Sequence, residues 1–138
     1  MREVTVERTV PASLSTVASY LTPSAIIANE GQYLPFDVIG SDDWAIVTVE
    51  ATGQFITPQF VFQRLDDGFV YRRYTPGTPV VGIETRLRIA ADGPDSTTVR
   101  FQSTVRAPLP IPPVEWYLAW RRRRTLERVC DRLAAALG

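Results

Sequence analysis

The C-terminal stretch from Pro112 to Leu137 constrains the fold of this chain more than any other segment. Its sequence, PPVEWYLAWRRRRTLERVCDRLAAAL, predicts one long helix. The two opening prolines suit a first helical turn, whose N–H groups have no intrahelical partner, and Gly138 follows the predicted end. At 1.5 Å per residue, about 26 residues span roughly 39 Å. The rest of the chain must therefore supply a surface long enough to pack against this helix.

At 100° per residue, the C-terminal half of the predicted helix carries a continuous apolar stripe. The stripe comprises Ala119, Leu126, Val129, Cys130, Leu133 and Leu137. Continued towards the N-terminus, it carries Glu115 and Arg122, where core residues would be expected. Because burying an unpaired charge is costly, these two side chains either face a wet cavity or form pairs. Both alternatives predict a pocket beneath this half of the helix.

Length and composition predict a single domain over residues 1–138, with 45% hydrophobic residues and one cysteine. Cys130 lies on the apolar stripe and is expected to be a core residue. The N-terminus lacks the pattern of a signal peptide, and no run of 18 apolar residues predicts a membrane span. We therefore expect a cytoplasmic protein, and the oligomeric state, monomer or homodimer, stays open.

The absence of histidine and lysine removes several kinds of chemistry. All 15 basic residues are arginine, which excludes a histidine base, histidine-ligated zinc and a Schiff-base lysine. The formal net charge is zero, so no general attraction to nucleic acid is expected. We expect no metal and no cofactor.

The remainder of the chain predicts one strand, two short helices and a run of further strands. A strand around Val4 to Val10 ends at Pro11, and Ser13 is a plausible N-cap for a helix through about Leu21. A second helix runs from Ser24 to about Asn29 and stops at Gly31. Six apolar segments separated by turn signals follow, of which the last two alternate cleanly; they are Tyr33–Ile39, Trp44–Thr52, Phe55–Leu65, Phe69–Thr75, Val81–Ile89 and Val99–Val105.

These elements predict an α+β fold. Six consecutive strands with short turns favour an antiparallel meander, in which Asp66-Asp67-Gly68 is a good hairpin turn and Pro58 suggests an edge or a bulge. About seven strands would then form a curved antiparallel sheet wrapped around the long C-terminal helix, with the two short helices after strand 1 closing one end. This arrangement leaves a cavity between sheet and helix.

The order of elements resembles the helix-grip fold of the START-like, or SRPBCC, superfamily, which includes polyketide cyclases and lipid-transfer domains. The resemblance covers essentially the whole chain. The opening VERTVPASLSTVASYLTPSAI, where a strand ends in a short Pro-Ala segment before the first helix, is similar to the family opening. The resemblance implies a hydrophobic or amphipathic ligand in the cavity under the helix. It implies no catalytic residues, since the superfamily shares none.

The predicted ligand-binding residues come from three segments. On the helix, Arg122 is a candidate anchor for a carboxylate, phosphate or phenolate, with Glu115 at the pocket mouth or both side chains solvated. On the fourth strand of the meander, Tyr71, Arg72, Arg73 and Tyr74 place one tyrosine and one arginine inward in either register. Further lining residues are Trp116, a possible roof together with Trp120, and Ala119 and Phe101.

Two further features allow alternative interpretations. Glu50 would be a candidate general base if it faces inward. Arg121 to Arg124 do not form one patch, because consecutive helical residues point in different directions; Arg121, Arg124 and Arg128 share the outer face, which we interpret as solvated.

Three hypotheses of function follow. The first is binding of a small hydrophobic or amphipathic molecule, such as a lipid, isoprenoid or polyketide. The second is a cofactor-independent polyketide cyclase or aromatase that uses Tyr, Glu and Arg as acids and bases. The third is an interaction module whose cavity is collapsed.

Overall fold

The computed structural model describes residues 2–50, 59–74, 82–107 and 111–138, and the side chains of Glu50 and Tyr74 lie outside this description. The described elements comprise seven strands and three helices. In chain order they are β1 (Arg2–Val10), α1 (Leu14–Tyr20), α2 (Pro23–Glu30), β2 (Leu34–Gly40), β3 (Trp44–Glu50), β4 (Gln59–Leu65), β5 (Gly68–Tyr74), β6 (Gly82–Ala91), β7 (Thr97–Arg106) and α3 (Pro112–Leu137).

The strands form one antiparallel sheet in the order β1-β7-β6-β5-β4-β3-β2. The predicted meander is thus confirmed for β2 to β7. In the hairpin of β4 and β5, Leu65 lies opposite Gly68 next to the turn. The first strand lies beside the last, with Val6 opposite Phe101. The two short helices therefore connect opposite edges of the sheet, and α3 lies against β1, β7 and α2. This is the predicted α+β arrangement of a curved sheet around a C-terminal helix.

Local sequence explains where the two short helices begin and end. The Ser13 side chain caps α1 by accepting a hydrogen bond from the Thr16 N–H at 3.3 Å, as predicted. Helix α2 begins one residue earlier than predicted, because Thr22 caps it and Pro23 occupies the first turn. Gly31 ends it with φ of 80°, a left-handed conformation that favours glycine.

One face of the sheet packs against α3 and α2 to form the core. The apolar stripe of α3 is buried as predicted except at Leu137, which is partly buried, and the stripe packs in one core with Phe62, Leu87 and Phe101 of the sheet. The first turns of α3 behave differently: Val114, Trp116 and Tyr117 are largely exposed. Residues 51–58, with Pro58, and part of the connector before α3 lie outside the described residues.

Cys130 is expected to resist alkylation in the folded protein. It is fully buried in the core, as predicted, and burial raises the pKa of its thiol to about 11. Since the thiolate is the nucleophile, labelling by iodoacetamide at pH 8 should be roughly 100-fold slower than in the unfolded chain and should accelerate as the pH rises. Mass spectrometry of native and urea-denatured samples measures both rates; equal rates would contradict the buried position.

Candidate functional site

A cleft opens between the sheet and the middle of α3. Its volume is about 410 Å³, within the range of small-molecule pockets. The segment after α2, strands β5 and β6, and helix α3 contribute its described lining, which is Gln32, Tyr33, Arg73, Ile83, Leu118, Arg121, Arg122 and Thr125. The predicted space between sheet and helix is therefore present. A smaller space of about 20 Å³ lies behind it, beside Glu30 and Tyr71, and has room for about one water molecule.

Arg122 lies at the inner end of the cleft and forms a buried ion pair with Glu30. Only 6% of each side chain is exposed, and Arg122 Nη1 donates to Glu30 Oε1 at 2.6 Å. The other guanidinium nitrogens reach the sheet: Nη2 donates to Thr85 Oγ1 at 2.7 Å, and Nε donates to Ser103 Oγ at 3.2 Å. A buried charge is tolerated when it is paired and hydrogen-bonded in this way.

Two hydroxyl side chains of the sheet accept hydrogen bonds from this guanidinium. Thr85 and Ser103 are register partners on β6 and β7, and their hydroxyl oxygens lie 3.0 Å apart. Both side chains point to the core face of the sheet. The next residues on that face of the same two strands are Leu87 and Phe101. The two small polar residues leave space for an arginine that a larger apolar side chain would fill.

Tyr71 completes the buried cluster. Its hydroxyl donates to Glu30 Oε2 at 2.8 Å and accepts from Arg122 Nη2 at 3.3 Å, while its ring stacks on Phe62 with centroids 4.6 Å apart. Burial and the neighbouring Glu30 carboxylate raise the pKa of Tyr71 well above its ordinary value. Burial opposes the charge of Arg122, but Glu30 and Tyr71 together outweigh this effect and raise the pKa of that guanidinium. The cluster therefore holds a neutral phenol beside an ion pair.

Arg73 lies two residues further along the same strand face and borders the cleft. Its Nη1 donates to Tyr33 Oη at 3.2 Å. Its Nε is buried and has no hydrogen-bond partner within the described parts of the chain. Arg121 is exposed but borders the cleft from the helix, which corrects its predicted place on the solvated outer face of α3. The structure thus selects the Tyr71 and Arg73 register of the two that the sequence allowed.

Several predicted ligand-binding residues lie elsewhere, which corrects their interpretation as cleft residues. Arg72 is exposed on the outer face of β5, because neighbouring strand residues alternate between faces. Phe101 is fully buried in the core, and Ala119, 9% exposed, packs with it. Trp116 is 59% exposed at the start of α3, and it does not border the cleft as the structure describes it. The proposed roof of Trp116 and Trp120 is therefore absent from that lining.

Glu115 does not join Arg122 at the cleft. Glu115 is half-buried in the first turn of α3, and it neither pairs with Arg122 nor borders the described cleft. The partner of Arg122 comes from α2 instead. The predictions for the Tyr74 side chain, and for Glu50 as a base, fall outside the described residues.

The sequence analysis did not predict the neutral residues of the site, such as Thr85, Ser103 and Leu118. It also missed one charged residue, Glu30. Glu30 is the last residue of α2, one position before the predicted stop at Gly31. A carboxylate is unfavourable at the C-terminal end of a helix, where the helix dipole places negative charge. Such a position is a signal that the carboxylate has a cationic partner, although only the tertiary structure shows which arginine it is.

Two exposed arginines of α3 fix the end of α2 that carries Glu30. Arg128 Nη1 donates to the Glu30 carbonyl at 3.0 Å. Arg132 Nη1 donates to the carbonyls of Ala28 and Asn29, each at 3.3 Å. Cations at a helix C-terminus satisfy its free carbonyls and oppose its dipole. Part of the arginine-rich outer face therefore serves to hold α2 on α3.

Comparisons with known proteins identify the fold. The sequence matches no protein-family model and no curated protein. Solved structures do match: a START superfamily protein from Mycobacterium smegmatis is 20% identical, with a TM-score of 0.70, over 98% of this chain and 96% of that one. The fold of this chain is accordingly the helix-grip fold of the START-like, or SRPBCC, superfamily.

Two enzymes share this fold with the chain. The Zhui aromatase/cyclase from Streptomyces sp. R1128 is 16% identical, with a TM-score of 0.63, over 98% of this chain and 87% of that one. Norcoclaurine synthase from Thalictrum flavum is 13% identical, with a TM-score of 0.70, over 98% of this chain and 85% of that one. At these identities the likeness concerns the fold alone. In the described part of the chain, no helix has the length and hydropathy needed to cross a membrane.

Proposed function

We propose that this protein binds a small amphipathic organic molecule in the cleft between the sheet and α3. The observation that carries the proposal is the cleft itself, about 410 Å³ in volume and bordered by both apolar and polar groups. Ile83 and Leu118 supply apolar surface from opposite sides. Gln32 and Thr125 supply neutral polar groups, and arginines supply positive charge. A concavity with both kinds of surface suits a ligand that has an apolar body and a polar group.

The geometry supports binding better than cyclase chemistry. Tyr71 and Glu30 would be the acid and base of such a reaction, but they lie behind the cleft in a space with room for about one water. The Tyr71 proton is directed to Glu30, and its raised pKa opposes release. The volume of the cleft also gives less support to an interaction module with a collapsed interior.

Filling the cleft should abolish ligand binding. Leu118→Trp places an indole in the space that Leu118 borders, so the affinity for the neutral fluorophore N-phenyl-1-naphthylamine should fall at least about tenfold, as expected when shape complementarity is lost. Val114→Trp is the matched control, because Val114 lies on the same helix, is exposed and does not border the described cleft. Its affinity should equal that of the wild type.

Fluorescence titration gives both affinities, and thermal unfolding with and without the fluorophore tests them independently, since a ligand of the native state must stabilise it. Equal binding by Leu118→Trp and the wild type would refute the proposed site.

A further inference from the structure

The cleft contains two arginines whose charge is not balanced by an acidic side chain. Three arginines border it, Arg73, Arg121 and Arg122, and its described lining contains no aspartate or glutamate. Glu30 neutralises Arg122 from behind. Two other ion pairs, Arg8 with Asp131 and Arg88 with Asp67, involve no residue of the described lining. Arg73 and Arg121 therefore contribute two uncompensated positive charges.

This excess is a local feature and not a property of the whole chain. The chain has 15 basic and 15 acidic residues and a formal net charge of zero. A general shortage of acids therefore does not account for two unbalanced guanidiniums at one concavity. Concave sites lined by one sign of charge concentrate the field and attract ligands of the opposite sign.

Arg73 has an unused hydrogen-bond donor. Its Nη1 bonds to Tyr33 Oη, but its buried Nε has no partner in the described structure. A buried donor without a partner is unfavourable, more so on a charged group. Its charge is therefore incompletely compensated, so an anion in the cleft would meet a guanidinium that no carboxylate neutralises, and its hydrogen bonds to that group would be charge-assisted, the stronger kind.

Arg122 is poorly placed to be the ligand anchor that the sequence suggested. Its three guanidinium nitrogens already donate to Glu30, Ser103, Thr85 and Tyr71. A ligand anion at Arg122 would compete with a carboxylate that is already in contact. The role of anchor passes to the two arginines at the cleft that have no carboxylate.

We infer that the ligand carries an oxyanion, a carboxylate, phosphate or sulfonate, which Arg73 and Arg121 hold from the sheet and the helix, while its apolar body lies against Ile83 and Leu118. Arg122 is then a positioning residue that keeps the end of α2 and the inner wall in place. This inference rests on the proposed function, because it specifies the ligand class of the same cleft.

The test compares two fluorophores that differ chiefly in one charge, 8-anilinonaphthalene-1-sulfonate and the neutral N-phenyl-1-naphthylamine. The wild type should bind the sulfonate at least about tenfold more tightly, which corresponds to one charge-assisted hydrogen bond. The preference should shrink as salt is raised. In Arg73→Gln/Arg121→Gln the preference should be lost, while the affinity for the neutral fluorophore stays within about twofold.

The chain offers a matched control with the same loss of charge. Arg72→Gln/Arg124→Gln removes one arginine from the same strand and one from the same helix, but both are exposed and neither borders the described cleft. This variant should keep the full preference for the sulfonate. Circular dichroism checks that each variant is folded; if the cleft double variant is not, the exposed single change Arg121→Gln replaces it.

Each outcome is decisive. Equal affinity of the wild type for the two fluorophores, or an equal loss in the control variant, overturns the oxyanion inference and leaves the proposed function intact. No binding of either fluorophore overturns both. Displacement by decanoate, decyl phosphate and decanol then distinguishes the anions: stronger displacement by either anion than by decanol supports the inference and names the headgroup, and equal displacement by all three overturns it.

Discussion

Arg122→Met is expected to destabilise the protein by roughly 3 to 5 kcal/mol, because it leaves the Glu30 carboxylate buried without its counter-ion. Glu30 is 5% exposed and Arg122 is 6% exposed, so the carboxylate is largely shielded from bulk solvent. Thr85 and Ser103 lose a hydrogen-bond donor as well. Urea unfolding followed by circular dichroism measures the change, and the melting temperature should fall by on the order of 10 °C.

An exposed ion pair that also involves α3 is the matched control. Arg8 and Asp131 form an ion pair between β1 and α3, with side chains 38% and 66% exposed. Because solvent screens such a pair, Arg8→Met should cost about 1 kcal/mol or less. If the two arginine changes had equal effects, the buried pair would not be the origin of the loss.

Removing both buried charges should recover much of the stability. In Glu30→Leu/Arg122→Met no uncompensated charge remains, and apolar replacement of a whole buried pair is often close to neutral. Some loss should persist, because Tyr71 then has no acceptor for its proton. A double variant as unstable as the sum of the single variants would show that the two side chains do not interact.

Phe101→Ala is expected to destabilise the protein by roughly 3 to 5 kcal/mol even when no ligand is present, because it opens a cavity in the core. Phe101 is completely buried on β7 and does not border the described cleft. The variant should therefore unfold at a much lower urea concentration than the wild type. If it still folds, its affinity for N-phenyl-1-naphthylamine should change little.

Trp116→Ala is the contrasting substitution. Trp116 is 59% exposed, so the loss of its large apolar ring should alter stability by about 0.5 kcal/mol or less, as is usual on a surface. The opposite pattern, with a stable Phe101→Ala that no longer binds the fluorophore, would restore Phe101 as a cleft residue.

The sequence predicted the fold well because each element carries its own local signal. The 3.6-residue period of α3, the capping residues Ser13 and Gly31, and the alternating β6 and β7 depend on neighbours a few positions apart. The Asp66-Asp67-Gly68 turn fixed a hairpin in the same way. Such local signals can be interpreted without knowing which distant segments of the chain come into contact.

The site was less predictable, because its decisive contacts join residues far apart in the chain. The helical period placed Arg122 on the line of the apolar stripe, where it could face a wet cavity, pair with another side chain or be solvated. The identity of its partner could not be predicted, because Glu30 lies 92 positions away in the sequence. The pattern also ended α2 one residue before Glu30. The sequence also could not show which face of β5 points outward, because Tyr71, Arg72, Arg73 and Tyr74 place polar side chains on both faces of the strand.

By itself, then, the sequence determined the helices, the strands and the presence of a charged residue on the buried stripe of α3, since periodicity and capping are local properties. Only the tertiary structure decided that Arg122 is neutralised by Glu30 and that Arg73 and Arg121 are left to face the cleft. The physical reason is that a buried charge is stable only beside its partner, and which side chain becomes that partner depends on how α2 docks on α3.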